Sequence, residues 1–193
     1  AATNANETQS GSSSSSNLRL AGRAAVPNAA LDVVLAPVTG RIESPLVNPG
    51  ETVKAGQALA RLHSAEVLAM QRDLVSARAA ADVARSRAER DEALFADGII
   101  ARNRLIESRA ARDDAEAQLR EHQQLLRLAG LSDGAINRIH SAADISPLLT
   151  VSARRAGTGL QQSTGPGQAV AAGDPLFQIA ALDHLWLELQ ATR

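Results

Sequence analysis

Cysteine is absent from this 193-residue chain. Its absence excludes disulfides, cysteine-based zinc sites and thiol nucleophiles together. Aromatics are almost absent too, at 2%: two Phe, one Trp and no Tyr. Hydrophobic residues reach 45%, but many are alanine, so a bulky rounded core is hard to build and thin elements, coiled coils and small β-modules, are favoured. Of 20 basic residues only Lys54 is a lysine, and 21 acidic residues leave a net charge of −1, so no global field draws nucleic acid to the chain. No apolar run approaches the roughly 18 residues that a membrane-spanning helix needs. The chain also opens without a charged stretch followed by an apolar one, so no signal peptide is read here.

What is present falls into blocks. Residues 1–17, "AATNANETQSGSSSSSN", are polar and of low complexity and are expected to be disordered, either as a linker behind a removed targeting segment or as an added tail. Residues 18–35 hold two short strand-like runs, Leu18–Leu20 and Leu31–Leu35, about a turn at Pro27–Asn28. Residues 36–63 are punctuated by Gly and Pro. Residues 64–129 contain no Pro, and their one glycine is Gly98. A mixed connector with a short helix follows over 130–149, and from 150 the glycine-rich, β-like character returns.

The two β-like blocks are copies. At an offset of 117 positions, Ala36 falls on Ala153, Gly40 on Gly157, Pro49 on Pro166, Gly50 on Gly167, Val53 on Val170, Ala55 on Ala172, Gly56 on Gly173 and Leu59 on Leu176, without a gap. The glycines fall where tight turns demand them, and the apolar matches can point inward from short strands. A unit this short cannot bury a face alone, whereas two packed together can.

Between the copies the period changes to that of a helix. Val67, Met70, Leu74, Ala77, Ala81, Ala84, Ala88 and Phe95 follow steps of three and four, with Asp91 the one polar member. That is a coiled-coil seam, built mostly of alanine so that a partner helix can approach closely. Gly98 in "FADGII" suits the position just past a helix end. A second helix over about 102–129 repeats the spacing at Leu105, Ser108, Ala115, Leu119, His122, Leu126 and Ala129, with Arg112 breaking the series. The spacing predicts an antiparallel hairpin about 45–50 Å long.

A β-module split by a helical hairpin resembles the periplasmic adaptors, or membrane fusion proteins of the HlyD-like type, of tripartite efflux pumps. The resemblance rests on "APVTGRI…VNPGETVKAGQALARLHSAEV" as a first half-lipoyl motif and "GPGQAVAAGDPLFQIAALDHLWLEL", with Trp186, as the second half and its exit strand. It implies an α+β fold: a split lipoyl-like β-sandwich (barrel-sandwich hybrid) over 36–63 and 150–180, interrupted by a long antiparallel coiled-coil hairpin over 64–129. Residues 18–35 and 181–193 would be barrel-proximal strands entering an incomplete β-barrel. The family continues with further domains, so the chain reads as a fragment. The half-motif turns would be Gly40, Gly50, Gly56, Gly157, Gly167 and Gly173.

The resemblance also implies a role: a non-enzymatic periplasmic subunit, associated with the inner membrane of a Gram-negative cell, that joins an inner-membrane efflux transporter to an outer-membrane channel and packs against sister adaptor protomers. Channel-engaging members often carry Arg, Leu four residues on and Ser seven further at the hairpin tip. Arg90, Leu94 and Ala101 occupy that spacing around Gly98, with Ala in place of Ser, so Asn103 is expected to take over capping of the second helix. The stretch "LAGLSDGAINRIHSAADISPL" is similar to adaptors of heavy-metal resistance-nodulation-division pumps, which implies export of metal cations; a drug or type I secretion exporter is the alternative. That group's metal-binding residues do not carry over. Met70 is the only methionine and lies on the seam, and His63, His122, His140 and His184 are scattered, so no metal site is expected. Lipoyl or biotinyl carriers share the half-motif but need a lysine at the turn joining its halves. "HSAEV" has Glu66 there, Lys54 lies elsewhere, and no cofactor is expected. A generic coiled-coil interaction protein would leave the repeat unexplained, and no catalytic grouping stands out.

Overall fold

The structure, a computed structural model, describes residues 21–25, 27, 30–181 and 186–190. The tail over 1–17, the run Leu18–Leu20, Asn28 and His184 lie outside the described residues. Ten strands and three helices follow in the order β1 (Ala21–Ala25), β2 (Leu31–Leu35), β3 (Gly40–Pro45), β4 (Thr52–Val53), β5 (Ala58–His63), α1 (Ala65–Ala96), α2 (Arg102–Leu128), α3 (Asp133–Arg138), β6 (Leu148–Ser152), β7 (Gly157–Gln162), β8 (Ala169–Val170), β9 (Pro175–Ala180) and β10 (Trp186–Gln190). Strands β1 and β10 pair antiparallel as a separate ribbon.

The other eight strands form two four-stranded sheets, ordered β2-β9-β7-β4 and β6-β5-β3-β8. A shift of 117 positions turns one order into the other, strand by strand. The backbone hydrogen bonds obey the same shift. Ala36 N–H donates to the Asp174 carbonyl at 2.8 Å and Ala153 N–H to that of Gln57 at 2.9 Å; Gly50 donates to Gly159 and Gly167 to Ile42, both at 2.7 Å. Each sheet therefore draws strands from both copies. Val53 and Val170, 1% and 4% exposed, belong to one core with Ile42, Leu59, Leu62, Leu176 and Ile179. Full burial of such side chains is worth about 1.5–3 kcal/mol each, which neither copy could collect alone. Four of the repeat glycines, Gly50, Gly56, Gly167 and Gly173, turn the chain at φ between 79° and 91°, a region closed to most side chains.

The structural repeat starts five residues before Ala36. Leu31–Leu35 pairs with β9, and its counterpart Leu148–Ser152 pairs with β5. Leu31–Leu35, expected among the barrel-proximal strands, and Leu148–Ser152, expected to divide between connector and sandwich, are both sandwich edges. Strand β2 buries only Val34, and β6 buries Leu149 and Val151, so the inward similarity between the two is confined to the valines.

Helix α1 starts under Ser64, whose Oγ accepts from the Val67 N–H at 3.3 Å and donates to the Thr39 carbonyl at 2.7 Å, which ties the helix to the sandwich. With 32 residues α1 is about 48 Å long, and α2 with 27 about 40 Å. Both end in the same way. Ile99 N–H reaches the Leu94 carbonyl at 2.8 Å and Leu131 N–H that of Leu126 at 3.0 Å, with Gly98 and Gly130 at φ 74° and 93° closing each end. The seam is graded. At the base Leu74 and Leu126 meet Ile136 and Ile139 of the α3 region. Ala77, Ala81 and Ala88 fill the middle, and toward the tip the buried residues are Asp91, Leu105 and Ser108.

Candidate functional site

The distal end of the hairpin gathers the candidate contact residues. Arg90 is exposed, Leu94 half-buried, and Gly98 makes the turn. Ala101 is the N-cap of α2, with no side-chain hydrogen bond to the helix. The expected substitute cap does not form: Asn103 lies inside the first turn, past the position from which a side chain can close the helix end. Among the residues of the tip, Phe95 also departs from expectation. It is exposed rather than part of the seam, because α2 begins only at Arg102 and leaves the last turn of α1 without an opposite face. With Ile99, 66% exposed, and Ile106 it gives the tip an apolar character that spacing did not reveal.

Below this lies a feature the periodicity marked only as an irregularity. Asp91 is 1% exposed within the alanine seam. Its Oδ1 stands 3.3 Å from Arg104 Nη2 of α2, and its Oδ2 is buried without a hydrogen-bond partner. Asp91 and Arg104 line a groove of about 600 Å³ together with Ser86, Arg87 and Arg90. Further down, Arg109 Nε donates to Glu92 Oε1 at 2.8 Å, and Arg85 Nη2 to Glu116 Oε1 at 3.1 Å. The flanks of the hairpin thus carry cross-hairpin ion pairs. Each is worth little alone, but together they fix the register of an alanine seam that small side chains specify weakly.

At the opposite end Gln71, buried in α1, reaches the connector. Its Nε2 donates to the Ser146 carbonyl at 2.8 Å, and its Oε1 accepts from the Ser146 N–H at 3.0 Å. The sequence reading passed over Gln71 in favour of its neighbour Met70, which is half-buried between the sandwich core and the hairpin base. Among the described residues His63 is exposed, His122 half-buried, and His140 Nδ1 meets Arg78 Nη1 at 2.8 Å. Among the described residues no three His, Asp or Glu side chains are grouped as a metal site. No described helix is long and apolar enough to cross a membrane.

An interdigitated β-sandwich interrupted by an antiparallel helical hairpin is the fold of ZneB from Cupriavidus metallidurans, at 24% identity and a TM-score of 0.59 over 88% of this chain and 70% of that one. Residues 52–145 match the family described as the YBHG alpha-helical hairpin domain. The chain is 31% identical over 161 residues to the nickel and cobalt resistance protein CnrB of Cupriavidus metallidurans, covering 83% of this chain and 38% of the relative. It is 32% identical over 143 residues to the nickel-cobalt-cadmium resistance protein NccB of Alcaligenes xylosoxydans xylosoxydans, covering 74% and 33%. Among solved structures it resembles a MacA–MexA chimera containing the Pseudomonas aeruginosa MexA alpha-hairpin domain, at 20% identity and a TM-score of 0.63, over 91% of this chain and 54% of that one. The chain thus spans a third to two-fifths of the length of these curated relatives.

Proposed function

We propose that the chain is the hairpin-bearing part of a periplasmic adaptor that joins an inner-membrane efflux transporter to an outer-membrane channel in the export of heavy-metal cations. The observation that carries this reading is the pairing of a two-copy sandwich with a long hairpin that holds its tip about 48 Å from the α1 start. In this reading the molecule serves to span a distance. The relatives named for nickel, cobalt and cadmium resistance support the cargo. In this reading the sandwich packs against sister protomers and the transporter, while Arg90, Leu94, Gly98 and Ala101 meet the channel. Leu94 supplies apolar burial and Arg90 donates to carbonyl or carboxylate oxygens on the partner.

The test restores the complete gene in a deletion strain and measures growth on nickel, cobalt and cadmium salts. Arg90→Asp and Leu94→Ser lose resistance at normal expression, while Ser76→Asp, on the exposed face of α1, keeps it. Full resistance from both tip variants refutes the tip assignment. A complemented strain no more tolerant of metals than the deletion, yet more tolerant of a drug, refutes the cargo.

A further inference from the structure

The two sheets have equivalent outer strands, β2 and β6, yet the molecule treats them differently. Strand β6 has α3 and its loop beside it across a cavity of about 380 Å³, lined by Ala135, Arg138 and Ile139 on one side and by Leu148, Leu149 and Thr150 on the other, although Leu148 stays 40% exposed. Strand β2 is the outermost strand of its sheet, with Val33 and Leu35 41% and 44% exposed. Its sequence, LDVVL, is short, β-prone and apolar, the kind of edge on which another chain adds as a further strand.

Three side chains oppose that. Arg154 Nη2 donates to the Val33 carbonyl at 3.2 Å, and Arg155 Nη2 to the Leu31 carbonyl at 3.3 Å. The two carbonyls are two residues apart and so point to the same side of the strand. The third is Asp32, which shares the inward face with buried Val34 and holds an Oδ2 that is buried without a hydrogen-bond partner. At the equivalent place in β6 stands Leu149, 3% exposed. An inward charge on an open edge is a stability cost that packing alone does not explain, and it is a known way to spoil edge-to-edge pairing.

We infer that Asp32, Arg154 and Arg155 guard the β2 edge against strand addition by the β2 of a second copy, across a two-fold axis that would place LDVVL antiparallel to itself. The inference stands independently of the adaptor reading.

The experiment follows the chain by sedimentation velocity over a concentration series, with circular dichroism and thermal melts as controls. Arg154→Ala/Arg155→Ala self-associates at a concentration at least about tenfold below the wild type. Asp32→Leu melts at a higher temperature and also associates more readily, a combination that a purely structural role for Asp32 does not produce. Adding Val33→Pro abolishes association in both backgrounds. The Val33 N–H points outward with its carbonyl, so proline blocks a new strand without breaking an internal bond. If the arginine variant does not fold, Asp32→Leu carries the test with both arginines intact. Sedimentation of both variants like the wild type, or association that persists with Val33→Pro, overturns the inference.

Discussion

Gly40 lies so close to the carbonyl oxygen of His63 that a Cβ on it would stand 2.5 Å away. At the equivalent place in the second copy, a Cβ on Gly157 would stand 2.6 Å from the carbonyl oxygen of Ala180 and 2.7 Å from Ile179 Cγ2. Neither glycine has a positive φ. They are held by close approach of two backbones, unlike the turn glycines, whose surroundings are open. Gly40→Ala and Gly157→Ala are therefore expected to cost about 3 kcal/mol each through forced backbone displacement, the upper end of overpacking. Gly50→Ala meets nothing within 4 Å and pays only the left-handed backbone strain, about 1–2 kcal/mol. Urea titrations of the three variants rank them. Equal loss at all three positions contradicts the distinction.

Gln71 uses both ends of its amide on one residue of the connector. Gln71→Leu leaves the Ser146 N–H and carbonyl without their partner and is expected to cost about 1–3 kcal/mol. Gln71→Glu separates the two bonds. A carboxylate still accepts from the Ser146 N–H but cannot donate to its carbonyl, and burial penalises the charge. That variant is destabilised at neutral pH and recovers as the pH falls and the acid becomes a donor. A thermal melt that worsens on acidification relative to wild type counts against this assignment.

Most of the architecture was written in the sequence because two periodicities carry it. The glycine-bounded repeat announced the sandwich, and the three-four spacing announced the hairpin. Leu31–Leu35 was legible as a strand, but its place in the sandwich, with β6 as its counterpart, was not, because only Leu31/Leu148 and Val34/Val151 match between the two. The tip was legible only in part. Arg90 and Leu94 could be placed by spacing, but the exposure of Phe95 depends on where α2 begins. Gln71 and the Asp91–Arg104 pair depend on partners 75 and 13 positions away, which no local pattern records. Asp32 stands out only beside its counterpart Leu149, 3% exposed at the same place in the other sheet, a comparison that needs the register of both sheets.

Asp144 closes the connector by accepting from the His140 N–H at 3.0 Å, the Ser141 N–H at 2.8 Å and the Ser141 hydroxyl at 3.0 Å. The backbone bond from His140, then the two from Ser141, hold its carboxyl below the ordinary aspartate range. A depressed folded-state pKa contributes stability above the unfolded value and loses it as the pH falls through the folded one. Backbone amides of 140–144 should therefore lose hydrogen-exchange protection as the pH drops from about 5 to about 2, after correction for intrinsic exchange. Asp144→Asn should show lower protection at neutral pH and little further change with acid. Equal acid response in both proteins means that another group governs the connector.

Asp91 and Arg104 form an unequal pair: the carboxylate is buried and the guanidinium is more than half exposed. The carboxylate has one oxygen paired and one without a partner, in a seam where its neighbours one turn away are alanine and leucine. A buried half-paired charge repays its desolvation poorly, and its loss can be neutral or stabilising. Asp91→Ala continues the alanine seam and is expected to leave stability unchanged or raise it by about 1 kcal/mol. Arg104→Ala removes the partner that makes the buried charge tolerable and is expected to cost about 1–3 kcal/mol. In the double variant that cost disappears, because no charge remains to be stranded, so the cycle shows a coupling of at least about 1 kcal/mol. Denaturant titrations at pH 7 measure all four corners. Additive effects would mean that Arg104 acts through its aliphatic stem on the helix surface. Strong destabilisation by Asp91→Ala would mean that the carboxylate holds the distal hairpin together.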